Sequence, residues 1–284
     1  MEPLIEYRLE LAGYRTRALE LEGDGPPLVL LHGFADSADT WRLMLDHLAR
    51  RGRRALAVDL PGFGNASRLA AGSMLDQLDR FTKAAIEHVA PEGGALVCGN
   101  SLGGCLAMRA AEDDGAGVAG IIPIAPAGLD MARWFVLVER DPVVRTLLAA
   151  PMPVPGFIVR RGVGEVYRRL AFARPGDIDG RVASTFASHF DSRARVAEIL
   201  ALGRRLLPEL RDPFRLERIG CPVLLVWGAQ DLLVFRTGGQ RVTEAVANAR
   251  IAVIDACGHC PQIEAVERLI ALLADFAAEP TAAG

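Results

Sequence analysis

Ala95-Leu-Val-Cys-Gly-Asn-Ser-Leu-Gly-Gly104 runs four apolar residues into a serine flanked by glycines, then into Cys105-Leu-Ala-Met108. The pattern predicts a buried strand, a sharp turn at Ser101 and a helix, with G-x-S-x-G at the turn. A nucleophile on so tight a turn adopts strained backbone angles. Side chains two residues to either side would strike the neighbouring strand and helix, which is why glycines stand there. The helix that follows aims its free N–H groups at any oxyanion formed beside the serine. A plain glycine-rich turn ending in a serine cap is the alternative; the strand before and the helix after favour the nucleophile.

Outward from this point the chain alternates. Ile5–Leu11 and Tyr14–Leu21 read as an amphipathic two-stranded start. Short apolar runs follow at Leu28–Leu31, Ala55–Val58, Ala95–Cys98, Val118–Ile124, Val223–Trp227 and Ile251–Ile254, the kind buried on both faces of a parallel sheet. Between them lie helix-length segments at Ala38–Arg51, Ser73–Val89, Ser101–Glu112, Arg236–Ala247 and Pro261–Ala278. The fold class is α/β, a mostly parallel central sheet flanked by helices. From Leu129 to Arg211 the rhythm stops: no buried strand is expected, and a proline cluster (Pro151, Pro153, Pro155) precedes arginine-rich helical pieces. We read residues 1–128 and 212–284 as one core, with 129–211 a helical insertion after the sixth strand.

The composition sets limits. Of 284 residues, 51% are hydrophobic and 24% charged, which describes a globular chain near the size ceiling of one hydrophobic core. A net charge of −3 leaves no electrostatic footprint for nucleic acid. No apolar run approaches the length of a membrane helix, so no stable membrane association is expected. Nothing at the N-terminus resembles a secretory signal. Five cysteines, an odd number, argue against a disulfide framework and for a cytoplasmic location.

A serine hydroxyl needs a base, and the base an orienting carboxylate. His47 and His88 sit inside helical segments and are expected on solvent faces. His189 lies in the insertion, and His32 ends the third apolar run as a loop brace. His259 follows the last strand, at the edge where a parallel sheet places its site, and is the best base. Asp231, three residues beyond Gly228, is the acid, with Asp130 the second choice. Ser101, Asp231 and His259 then stand in the chain order expected of an α/β-hydrolase triad. The oxyanion hole is expected from the N–H groups of Leu102 and Phe34.

The blocks His32-Gly33-Phe34, Asp59-Leu60-Pro61-Gly62-Phe63-Gly64, Gly99–Gly104, Trp227-Gly228-Ala229-Gln230-Asp231 and Gly258-His259 together resemble the α/β-hydrolase superfamily over nearly the whole chain. That resemblance implies the α/β-hydrolase fold and makes residues 129–211 a cap over the nucleophile. It also implies a cofactor-free and metal-free serine hydrolase acting on a small-molecule substrate. Serine at the elbow excludes the branches that use aspartate there. Gly-Asn-Ser-Leu-Gly-Gly resembles the meta-cleavage-product hydrolases, which cut carbon–carbon bonds, but those usually carry an aromatic residue where Cys260 stands. A carboxylesterase for a small, largely apolar substrate is therefore the expectation, with carbon–carbon hydrolysis the alternative. A non-catalytic ligand-binding protein on the same fold is the reading from another class. Asn100, Trp134 and Phe157 are expected to touch substrate, and a homodimer is compatible with the sequence.

Two further motifs are set aside. Cys257-Gly-His-Cys260 has the spacing of a redox dithiol, but it follows the last strand of a long α/β chain. Gly115-Ala-Gly-Val-Ala-Gly120 matches a dinucleotide fingerprint, yet it precedes a strand and opens no helix.

Overall fold

A computed structural model describes residues 4–132, 156–190 and 192–278. Among these residues ten strands form: β1 Ile5–Leu11, β2 Tyr14–Leu21, β3 Asp24–Leu31, β4 Arg53–Val58, β5 Ala95–Asn100, β6 Val118–Ile124, β7 Asp130–Met131, β8 Val223–Gly228, β9 Val234–Phe235 and β10 Ala249–Ile254. The helices are α1 Arg42–Ala49, α2 Met74–Val89, α3 Leu102–Ala110, α4 Gly156–Ala171, α5 Gly180–Ser188, α6 Arg193–Glu209, α7 Gly238–Ala245, α8 Pro261–Glu264 and α9 Val266–Ala278. Eight strands make one sheet in the order β1-β2-β4-β3-β5-β6-β8-β10. The β1–β2 and β2–β4 pairs are antiparallel and every later pair is parallel.

Parallel strands need crossovers, and the helices that supply them cover both faces of the sheet. One apolar layer packs α2 and α3 against Val29, Leu31, Val97 and Trp227; the other packs α1 and α9 against Leu30, Cys98, Ile122 and Val226. Alternate side chains of one strand thus enter opposite layers, which is why β5 and β8 are buried at every residue. The last strand departs from expectation. As the sheet's edge, β10 leaves Arg250 and Val253, on opposite faces, exposed, and only Ile254 of its six residues is buried. Two expected helices also divide: a 3₁₀ turn at Ala38–Trp41 leads into α1, and Ala265 separates α8 from α9.

Within 129–211, α4, α5 and α6 answer to the expected helical pieces. Asp130–Met131, however, is strand and not helix, pairing antiparallel with Val234–Phe235 as a separate two-stranded ribbon.

Candidate active site

The elbow has the form its glycines require. Ser101 holds φ 54° and ψ −110°, a strained conformation for a residue with a side chain. Three backbone bonds hold it: its N–H donates to Ile124 C=O (2.8 Å), and its C=O accepts from Cys105 (2.9 Å) and Ala127 (3.0 Å). A Cβ on Gly99 would lie 2.1 Å from the Gly103 carbonyl oxygen, and one on Gly103 only 2.0 Å from that of Leu31. Both glycines are therefore steric necessities. Leu102 opens α3, so its N–H has no carbonyl one turn earlier in the helix and remains available beside Ser101.

The acid and base meet at the same edge of the sheet. Asp231 is buried in the loop after β8, with Oδ2 2.7 Å from His259 Nδ1. Its Oδ1 accepts from the N–H groups of Leu233 (2.8 Å) and Val234 (3.1 Å), which fixes the carboxylate plane. Trp227 Nε1 donates to Val234 C=O (3.0 Å) and anchors that loop from below. With Nδ1–H donating to Asp231, the lone pair of His259 is left on Nε2. Gly228 allows the approach, because a Cβ there would meet the Gly258 carbonyl oxygen at 2.0 Å.

The loop carrying His259 is tied to the end of α4. His259 N–H donates to Ala171 C=O (2.7 Å). Glu264 collects three more donors: Gly258 N–H (2.6 Å) and Ala173 N–H (3.2 Å) on Oε2, and Arg174 N–H (2.9 Å) on Oε1. This clamp was not assigned from the sequence. The available signal was a carboxylate five residues beyond His259, in the turn that Pro261 begins.

On the opposite side, the loop after β3 brings Gly33 against the nucleophile; a Cβ on Gly33 would sit 3.5 Å from that of Ser101. Phe34 follows, half-buried, its ring edge-on to Phe63 (5.1 Å between centroids). His32 is fully buried and braces the loop: Nδ1–H donates to Gly33 C=O (2.7 Å), and Nε2 accepts from Leu60 N–H (2.8 Å). Burial lowers its pKa to about 4, so it stays neutral. Asp36 accepts from Ser37 N–H (2.8 Å) and is buried, which raises its carboxyl to about 7. Beneath the loop, Asp59 takes Arg17 (3.0 Å) and the N–H groups of Ala38 (2.7 Å) and Asn65 (2.8 Å), locking β2, β4 and the first turn together.

The remaining candidate residues fall as follows. Asn100 is buried and its Nδ2 donates to His259 C=O (2.9 Å), so its amide braces the histidine loop. Phe157 is 65% exposed at the start of α4 and lines a surface cleft of about 470 Å³ with Arg160, Arg161 and Arg168; none of Ser101, Asp231 and His259 lines that cleft. Trp134 lies outside the described residues. Asp130 is exposed and bonded to Thr237, leaving Asp231 with His259. His88 is exposed, whereas His47 is half-buried and His189 reaches Ser37 Oγ (3.1 Å). Among the pair set aside as a redox motif, burial pushes the Cys257 thiol up to about 12 and that of Cys260 well above the usual range, the reverse of a reactive dithiol. Cys260 Sγ lies 3.6 Å from Tyr167 Oη of α4, whose ring stacks on Phe186 (3.6 Å). Among the described residues no cluster of three His, Cys, Asp or Glu side chains is placed to hold a metal.

Comparison with known proteins bears on the family and the fold. The model of the alpha/beta hydrolase family matches residues 28–272. The chain is 27% identical over 269 residues to the dihydrolipoyllysine-residue acetyltransferase component of the acetoin cleaving system of Pseudomonas putida, covering 92% of this chain and 66% of that one. It therefore spans just under two thirds of that relative. Pimeloyl-[acyl-carrier protein] methyl ester esterase of Nitrosomonas europaea is 27% identical over 260 residues, covering 89% of this chain and 96% of its own. Among solved structures, the 2-hydroxy-6-oxo-6-phenylhexa-2,4-dienoate hydrolase of Rhodococcus sp. strain RHA1 superposes with a TM-score of 0.77 at 21% identity, covering 97% and 99% of the two chains.

Proposed function

Because the chain belongs to the alpha/beta hydrolase family, we propose that it is a serine hydrolase cleaving a carboxylic ester, or a related acyl bond, of a small and largely apolar substrate. The observation that carries this reading is the paired arrangement of a strained Ser101 before the free N–H of Leu102 and an acid-oriented His259 on the adjacent loop. Ser101 Oγ attacks the acyl carbon while His259 Nε2 takes its proton. Asp231 holds the imidazole and stabilises the imidazolium. The N–H groups of Leu102 and Phe34 receive the oxyanion. His259 then gives its proton to the leaving alcohol, and water, activated by the same nitrogen, releases the acid from the acyl-enzyme.

In this reading residues 129–211 cap the site. Support comes from Ala171 C=O on His259 N–H, from Gly203 lying against the Phe34 ring and from Glu209 accepting the Met74 and Leu75 N–H groups of α2. The esterase similarity of the Nitrosomonas relative supports acyl chemistry. All five thiols are free, which suits the cytoplasm we assign. Among the described residues no helix is long and apolar enough to cross a membrane.

Asn100 within Gly-Asn-Ser-Leu-Gly-Gly keeps carbon–carbon hydrolysis as the second reading. A fluorophosphonate probe tests the nucleophile: labelling at Ser101, abolished in Ser101→Ala, is expected, and unlabelled folded protein refutes it. A p-nitrophenyl ester series run beside a ring-opened dienone separates the two reactions, with ester turnover expected to dominate.

A further inference from the structure

His189 is the single histidine of the insertion, and the chemistry proposed above leaves it unused. It stands just past α5, half-buried, with Nε2 3.1 Å from Ser37 Oγ. The Ser37 hydroxyl has one proton and two lone pairs. Its proton goes to Asp39 Oδ2 (3.4 Å), and one lone pair accepts the Asp39 N–H (3.4 Å). The second lone pair is left for His189, so Nε2 carries the ring proton and donates to Ser37. Asp39 is itself fixed by Arg17 (2.8 Å) and Arg42 (2.6 Å), which makes Ser37 a firm post on the core.

Ser37 directly follows the turn that carries Phe34. Asp36 N–H donates to Gly33 C=O (3.4 Å), closing Gly33–Asp36 around Phe34 and Ala35. Phe34 N–H has no acceptor among the described residues, and Gly33 lies against Ser101. The turn is strained: Ala35 holds φ 60°, a left-handed conformation that suits glycine and burdens a residue with a Cβ. Such a conformation persists only where its surroundings over-determine it. From below, His32 holds the Gly33 carbonyl. From above, the hold comes from the insertion: Ala35 is buried with Phe190 and Ile199 in one apolar cluster, and His189 is fastened to Ser37. Two adjacent residues of the insertion thus grip the turn, Phe190 by packing and His189 by hydrogen bond.

On the hydrolase reading of Ser101, we propose that His189 is a positioning residue: through Ser37 it holds the Gly33–Asp36 turn so that Phe34 N–H stays aimed at the oxyanion. The insertion then contributes to the chemical step as well as covering the site. A donor that drifts from the oxyanion gives up stabilisation of the transition state and leaves ground-state binding nearly unchanged, because the substrate carbonyl bears little charge. A tether that only added stability would not alter that balance.

The test pairs steady-state kinetics on a short p-nitrophenyl ester with inhibition by an alkyl trifluoromethyl ketone, whose serine adduct places a charged oxygen in the oxyanion hole. Deleting a whole oxyanion donor costs about 10²–10³-fold, so a displaced one should cost less. In His189→Ala, kcat should fall roughly tenfold with KM changed less than about threefold, and the ketone should bind more weakly by the factor lost in kcat/KM. His189→Gln sets an amide N–H at the reach of Nε2 and should recover to within about threefold of wild type. Ser37→Ala cuts the same bond from the core side, so Ser37→Ala/His189→Ala should be no slower than the slower single variant. Wild-type kcat in folded His189→Ala overturns the proposal. So do additive losses in the double variant, or a ketone affinity that holds while kcat falls. Should His189→Ala lose its circular dichroism, His189→Gln and Ser37→Ala decide: wild-type kcat and ketone affinity in folded Ser37→Ala overturn the role. A folded wild type that neither turns over esters nor takes a fluorophosphonate at Ser101 removes the hydrolase reading, and this role with it.

Discussion

Glu264→Ala removes the acceptor that holds the histidine loop to the chain following α4. Three N–H groups lose a carboxylate, those of Gly258, Ala173 and Arg174. A hydrogen bond to a charged group is worth about 1.5–3 kcal/mol, and the half-buried setting of Glu264 favours the low end. Arg174 is exposed, so its N–H turns to water at little cost. The other two sum to roughly 3 kcal/mol, enough to lower the melting temperature by ~4–8 °C if the loop belongs to the cooperative unit. His259 is one residue from Gly258, so the loss falls on the orientation of the base and not on substrate binding. At 1.4 kcal/mol per factor of ten, the chemical step should slow by roughly ten- to a hundredfold with KM changed less than about threefold. Glu264→Gln keeps an oxygen for Gly258 and Ala173, placing its amide toward Arg174, and should lose only a few-fold. Steady-state kinetics on a short p-nitrophenyl ester with parallel thermal melts decide the matter. Wild-type kcat and melting in Glu264→Ala, or equal losses in the Ala and Gln variants, would refute a clamp that acts through geometry.

Three other outcomes follow from the same geometry. Gly103→Ala sets a Cβ 2.0 Å from the Leu31 carbonyl oxygen, so α3 must move off β3; the variant should be destabilised by ~3 kcal/mol or more in denaturant titration and inert to fluorophosphonate. Asp231→Asn should leave the fold intact by circular dichroism yet cut kcat by about 10³–10⁴-fold, because an amide can donate to Nδ1 and select the wrong tautomer. Asp36 titrates near 7 in the folded protein against 3.8 when exposed, so the native state binds the extra proton and loses stability as pH rises from about 4 to 7. Asp36→Asn should therefore raise the melting temperature most at pH 8, less at pH 5, and leave it nearly unchanged below about pH 4. His32 has the opposite sign, its folded pKa of about 4 lying below 6.5, so acid destabilises the protein progressively between those values.

What could be read in advance was whatever local spacing determines. β5 and β8 are buried on both faces, so they announce themselves as unbroken apolar runs, and the turn after β5 needs glycines whatever surrounds it. Asp231 and His259 could be selected because both follow strands of one parallel sheet and so emerge at one edge. The remainder depends on contacts between distant segments. Nothing near Asn100 shows that its amide is taken by a carbonyl 159 residues away. Phe157 reads as apolar pocket lining until α4 is oriented, and its orientation comes from Tyr167 and Val163 seeking Phe172, Phe186 and Phe190. β7 and β9 have two residues each, too few for any periodicity to register.

That small ribbon has a bearing on chimeras. β9 lies three residues past Asp231, and its partner β7 is the stalk by which the chain leaves the core for the insertion, while another of the insertion's attachments, at Ala171, rests on the His259 backbone. A graft that exchanged residues 129–211 for a foreign segment would sever one half of the ribbon and strip a carbonyl from the base, so both partners of the Asp231–His259 pair would drift together. Transplantable units of this protein should instead be cut to carry the loops 229–235 and 257–264 along with the insertion, so that a transferred cap arrives with the two supports to which it is fitted.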